Sequence, residues 1–113
     1  MDDGQNLTRA ALHILIAIGP GERHGYAIMT EVDRMTDGAV RLAPGTLYTT
    51  LKRLLTEGLI EETDARPDLA IDDQRRRYYR LTLRGRAVVA AEVARLDALV
   101  STARPWAIEG RDP

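Results

Sequence analysis

The chain has 113 residues, a formal net charge of −1 and no cysteine. That length suits one domain with a real core, small enough for a partner chain to complete it. The composition excludes a disulfide framework and a thiolate metal site. No apolar run approaches the roughly 18 residues that a membrane span needs, and the acidic Asp2-Asp3 start is the wrong charge for a signal peptide. The expected setting is the cytoplasm, without a membrane.

Residues 6–18 predict the first helix. Leu7, Ala11, Leu12, Ile14, Leu15 and Ile18 recur at three- and four-residue steps. Asn6 is the expected cap, and Gly19-Pro20-Gly21 ends the run. Ile16 widens the apolar stripe, so this helix is expected to be covered on more than one side. A second helix is predicted over 24–36, with Ile28, Val32 and Met35 inward and Asp37-Gly38 as its stop. Val40-Arg41-Leu42 is too short for a helix and predicts a small edge strand.

A third helix is predicted over about 44–57, opened by Pro44, whose missing N–H would be unsatisfied in a first turn anyway. Leu47, Leu51 and Leu54 face inward. A winding of about 100° per residue puts Thr49, Lys52 and Thr56 opposite them, flanked by Thr46, Tyr48 and Arg53. Gly58 suits the C-terminal cap. Residues 59–63 and 76–82 then predict two strands of a hairpin, joined by a loop that holds Arg66-Pro67-Asp68 and Asp72-Asp73. Alternation sends Tyr79 and Leu81 inward and Arg76, Tyr78 and Arg80 outward. The last helix is predicted over 83–103, ended by Arg104-Pro105. Val89, Val93, Leu96, Val100 and Ala103 form a seam along it at steps of four and three.

The order of helix, helix, helix and hairpin predicts a mainly α fold: a winged helix-turn-helix with a two-stranded β-wing and a long C-terminal dimerisation helix. The division is 1–82 for the winged part and 83–113 for the helix and tail, as one compact unit. Charge distribution supports a nucleic-acid partner despite the small net charge. Residues 39–56 hold Arg41, Lys52 and Arg53 and no acid; residues 74–91 hold arginines 75, 76, 77, 80, 84 and 86 and no acid. A major groove is wide enough for a helix. Thr46, Tyr48, Thr49, Lys52 and Arg53 are the expected contacts there, with Arg75, Arg76 and Arg77 on the backbone or minor groove. The bland alternative is a solvated polar face. Asp72 and Asp73 dilute the wing's field and weigh against deep insertion.

The seam on the last helix covers either the chain's own core or a second copy. A helix of about 30 Å finds little to cover it in so small a domain, so a homodimer is expected through Leu7, Ala11, Leu15, Val89, Val93, Leu96 and Val100. Two-fold symmetry would then present two recognition helices to a pseudo-palindrome. Trp106 offers a flat surface for an aromatic ligand, or packing within the dimer. His13 reads as a packed histidine, and His24 as a cap or a phosphate contact at a helix start. With two histidines and no cysteine, neither a metal nor another cofactor is expected. Catalysis finds no support: Ser101 is the sole serine, Glu61 and Glu62 point to opposite faces of a strand, and no glycine-rich phosphate loop is present. The rival reading is a winged-helix module that binds protein and no DNA.

Four motifs in order resemble the PadR family of transcriptional regulators. They are His24-Gly25-Tyr26; Gly45-Thr46-Leu47-Tyr48 with Leu51-Lys52-Arg53-Leu54; Glu57-Gly58-Leu59-Ile60; and Arg76-Arg77-Tyr78-Tyr79-Arg80-Leu81-Thr82 with Gly85. The resemblance spans about residues 7–103. It implies a bacterial homodimeric repressor of the compact branch, some of whose members respond to flat aromatic molecules held between subunits. Thr49 departs from the proline that many members carry after the Leu-Tyr pair, which bears on base preference or helix geometry.

Overall fold

Thr8 caps the first helix, and the expected cap Asn6 lies outside the described residues. In a computed structural model that describes residues 7–63 and 77–110, α1 spans Arg9–Ile18 and the Thr8 hydroxyl accepts the Ala11 N–H at 3.0 Å. A capping hydroxyl of this kind satisfies one of the first-turn donors that a helix leaves open. Gly19, at φ +68°, ends the helix in a conformation that L side chains rarely adopt.

The chain then enters β1 (Glu22–His24), a strand that the sequence did not predict. Helix α2 follows over Gly25–Met35, with His24 as its cap: Nδ1 accepts the Ala27 N–H at 3.2 Å. The turn after α2 puts Asp37 at φ 56° and Gly38 at φ 80°. The expected edge strand at Val40-Arg41-Leu42 is absent. The Val40 N–H instead donates to the Thr36 hydroxyl at 3.0 Å, so it is taken by a side chain rather than a ladder. Helix α3 runs over Pro44–Thr56 with Pro44 in the first turn, and Gly58 at φ +77° reverses the chain behind it.

Strands β2 (Ile60–Thr63) and β3 (Tyr78–Leu81) pair antiparallel, Ile60 opposite Leu81 and Glu62 opposite Tyr79. The sheet is three-stranded in the order β1-β3-β2, because β1 takes the other edge of β3, Arg23 opposite Tyr79. The expected two-stranded hairpin therefore gains a third strand. Alternation on β3 holds as expected: Tyr79 is buried and Arg80 exposed.

Helix α4 covers Leu83–Ala107. It passes through the expected stop at Arg104-Pro105, and the Ile108 N–H still reaches the Arg104 carbonyl at 3.0 Å. Thr82 anchors its start twice: the hydroxyl accepts the Gly85 N–H at 3.0 Å and donates to the Gly58 carbonyl at 2.6 Å. Gly85 is its one buried residue.

The core joins Ala11, Ile14, Leu15 and Ile18 of α1 to Ile28 and Val32 of α2, Leu47, Leu51 and Leu54 of α3, Leu59 of the α3–β2 link, and Ile60 and Tyr79 of the sheet. Val88 and Val89 of α4 pack against this cluster, and the rest of α4 runs on past it. The radius of gyration is 16.2 Å, against about 13 Å for a compact chain of this length. The projecting helix accounts for the difference and for a long axis of 58 Å.

Candidate nucleic-acid interface

Burial divides α3 into two faces. Leu47, Leu51 and Leu54 are at most 1% exposed, while Thr46, Tyr48, Thr49, Lys52 and Arg53 are all exposed. The three inward leucines fix the rotation of the helix, so the five polar side chains are displayed together. Thr56, on the same face, turns its hydroxyl back to the Lys52 carbonyl at 3.0 Å. Lys52 forms no ion pair among the described residues, whereas Arg53 lies 3.5 Å from Glu57 one turn later. That exposed pair is a loose one, of the kind that contributes little to stability.

Tyr48 has a second role that the sequence did not disclose. A Cβ built on Gly25 would lie 2.7 Å from its phenol oxygen. The first residue of α2 is thus bare because the Tyr48 ring lies over it, and this contact ties the His24-Gly25-Tyr26 and Gly45-Thr46-Leu47-Tyr48 motifs into one packing unit. His24 caps α2 and meets Tyr78 edge-on, ring centroids 5.5 Å apart. The cap reading of His24 is therefore the structural one. His13 donates from Nδ1 to the Arg9 carbonyl at 2.7 Å, a local hydrogen bond on α1.

The arginine-rich stretch is less uniform in space than in sequence. Arg80 bonds Glu61 at 2.7 Å across the β2–β3 ladder, and that hydrogen bond holds its guanidinium above the ordinary value. Arg77 bonds Glu62 at 3.0 Å. Arg84 donates to the Glu57 carbonyl at 3.3 Å and Arg86 to the Pro20 carbonyl at 3.1 Å, so both fasten α4 to neighbouring loops. Arg75 and Arg76 lie outside the described residues. Below the ladder, burial pushes the Tyr79 phenol up from its usual range. Glu62 and Glu61 are charge partners of Arg77 and Arg80, which their place in the sequence, 15 and 19 residues away, had hidden.

The expected interface residues separate into two groups. Ala11 and Leu15 are 0% exposed. They belong to the protomer's own core and have no surface to offer a second copy. Leu7, Val89 and Leu96 are partly exposed, and Val93 and Val100 are 46% and 41% exposed. Leu99, at 55%, joins them, and Trp106 stands at 52%. A cavity of about 310 Å³ lies beside this region between Leu7 and the α4 side chains Ala87, Val88 and Ala91. Among the described residues no three His, Asp or Glu side chains converge on a metal-sized site, and no helix is long and apolar enough to cross a membrane.

Known proteins share both sequence and architecture with this chain. Residues 14–91 match the model of the transcriptional regulator PadR-like family. Transcriptional regulator Rv3488 of Mycobacterium tuberculosis is 36% identical over 88 residues, 78% of this chain and 76% of its own. A PadR family transcription regulator from Clostridium difficile superposes with a TM-score of 0.69 at 20% identity, over 88% of this chain and 98% of that one. RosR of H. salinarum, in a complex, gives a TM-score of 0.65 at 28% identity, over 91% and 81% of the two chains. The chain belongs to the PadR-like family of transcriptional regulators.

Proposed function

We propose that the chain acts as a homodimeric repressor that lays α3 into the major groove of a pseudo-palindromic operator. The observation that carries this reading is the exposed face of α3, where Thr46, Tyr48, Thr49, Lys52 and Arg53 stand together over three buried leucines. Hydroxyls and the Tyr48 phenol would position and read base edges, and the two cations would neutralise phosphates. Arg75, Arg76 and Arg77 would carry the wing's contacts on the backbone or minor groove. Arg77 would exchange its Glu62 partner for phosphate.

The division of labour follows the chain: residues 1–82 bind DNA and residues 83–113 pair the protomers. Leu7, Val89, Val93, Leu96 and Val100 would form the seam between copies. Trp106 supports an effector reading, in which a flat aromatic molecule held between subunits relieves repression. It is the sole tryptophan, so its fluorescence reports that site alone. Planar aromatics are expected to quench it saturably and to lower operator affinity over the same concentrations. Quenching without any change in DNA binding would contradict the effector role. The proposed setting is the cytoplasm.

Lys52→Ala tests the groove assignment. It should weaken binding to operator and shuffled duplexes alike and flatten the slope of log K against log salt by roughly two units, one for each protomer of the dimer. Fluorescence anisotropy over a salt series measures this, and an unchanged slope would remove Lys52 from the phosphate contacts.

A further inference from the structure

The exposed face of α3 continues onto α2. Gly25 lies under the Tyr48 ring, and the next residue, Tyr26, is 65% exposed. Tyr26 stands outside the core cluster, and its phenol has no hydrogen-bond partner among the described residues. The polar groups that follow on this face of α2 are already engaged. Thr30 donates its hydroxyl to the Tyr26 carbonyl at 3.1 Å, and Arg34 is held by Glu31 at 2.6 Å, a hydrogen-bonded pair that lowers the Glu31 carboxyl. The Tyr26 phenol is thus the uncommitted polar tip of the face, beside the residue that Tyr48 covers.

We propose that Tyr26 is a further DNA contact, its phenol donating a hydrogen bond to a backbone phosphate at the edge of the groove that α3 enters. This rests on the reading of α3 given above. In a helix-turn-helix the helix before the recognition helix crosses the DNA backbone, and tyrosine is among the side chains that bond phosphate oxygens. An aromatic ring this exposed gains little from protomer packing, whereas seating it against the sugar-phosphate backbone would bury its apolar body and satisfy its oxygen. The contact is neutral. It would fix how the two helices sit on the duplex without adding to long-range attraction.

Neutrality gives the test its resolving power. Fluorescence anisotropy would be recorded for the full chain and for Tyr26→Phe over a salt series. The probes are a labelled duplex from the chain's own upstream region and a shuffled duplex of the same composition. Loss of one hydrogen bond to a charged acceptor in each protomer, two per duplex, predicts an affinity about a hundred-fold lower at every salt concentration. The salt slope should stay at the parent value, since no cation is lost. Thermal unfolding should coincide for the two proteins, because only an exposed hydroxyl is removed. Parent-like affinity would overturn the proposal, and so would a flattened salt slope, which would mean that charged contacts had moved. If the parent chain itself bound neither duplex, the reading of α3 would fail first, and that outcome is distinct from a Tyr26→Phe protein that binds as the parent does.

Discussion

Gly85→Ala should destabilise the fold by about 3 kcal/mol or more, at the severe end for overpacking. The melting temperature should fall by roughly 10–20 °C. A Cβ at this position would lie 2.0 Å from the Leu59 carbonyl oxygen and 2.9 Å from its carbon. Both are backbone atoms, and neither can step aside cheaply. Leu59 is 0% exposed, its N–H bonds the Leu54 carbonyl at 3.0 Å, and its own carbonyl accepts the Thr82 N–H at 3.1 Å. The first turn of α4 lies so close to the α3–β2 link that only glycine fits. Gly45→Ala is the matched control, because a Cβ there meets nothing within 4 Å. Alanine in that helical position should leave stability unchanged or raise it by about 0.5–1 kcal/mol. Differential scanning calorimetry of both variants would decide the matter, and a Gly85→Ala protein melting with the parent would refute this account of the junction.

Leu96→Glu should abolish the proposed dimer. Leu96 lies on the part of α4 that runs beyond the core, partly exposed, between Val93 and Val100. In a two-fold seam the substitution places two carboxylates in apolar surroundings at once, and a buried unpaired charge costs several kcal/mol. The expected result is a monomer by light scattering at concentrations where the parent is dimeric. Operator affinity should fall with it, because one protomer reaches one half-site only. Leu15→Ala makes the contrast. That residue is 0% exposed inside the protomer, so its truncation should cost about 2–5 kcal/mol of stability while the surviving folded protein still pairs. A Leu96→Glu protein that stayed dimeric would remove this stretch of α4 from the interface.

The legible parts of the fold were those set by local pattern. The spacing of Leu47, Leu51 and Leu54, with Pro44 before and Gly58 after, placed α3 within a residue of its observed ends. Tyr79 and Arg80 fell on the expected faces because a strand has a period of two. What long-range pairing decides was not legible. Glu22, Arg23 and His24 carry no apolar alternation; they form a strand because β3 has a second edge to satisfy. Pro105 looked like a stop. In the last turn it deprives one carbonyl, that of Ser101, of a partner, and the helix proceeds around it.

The candidate site was legible to the same degree and for the same reason. Helical period displayed the five α3 side chains, but period cannot say what covers an apolar stripe. Ala11 and Leu15 fitted an interface seam as well as they fit the core that claims them. Counting charge along the chain also misses cross-strand pairing among the described residues of the wing. Acids 15 and 19 residues upstream face Arg77 and Arg80 across the ladder, and two more arginines hold loops in place. Among the described residues, Arg77 and Arg80 are thus offset by carboxylates, while Arg84 and Arg86 keep their charge but are tied to carbonyls.

One measurement tests the central claim most directly. Fluorescence anisotropy of the full chain would be recorded on a labelled duplex from its own upstream region, with a shuffled duplex as control, across a salt series. The account predicts tight binding that favours the upstream sequence and weakens steeply as salt rises, because phosphate contacts release condensed cations. Failure to bind either duplex at low salt would contradict it, and would favour a winged-helix module whose exposed α3 face meets another protein.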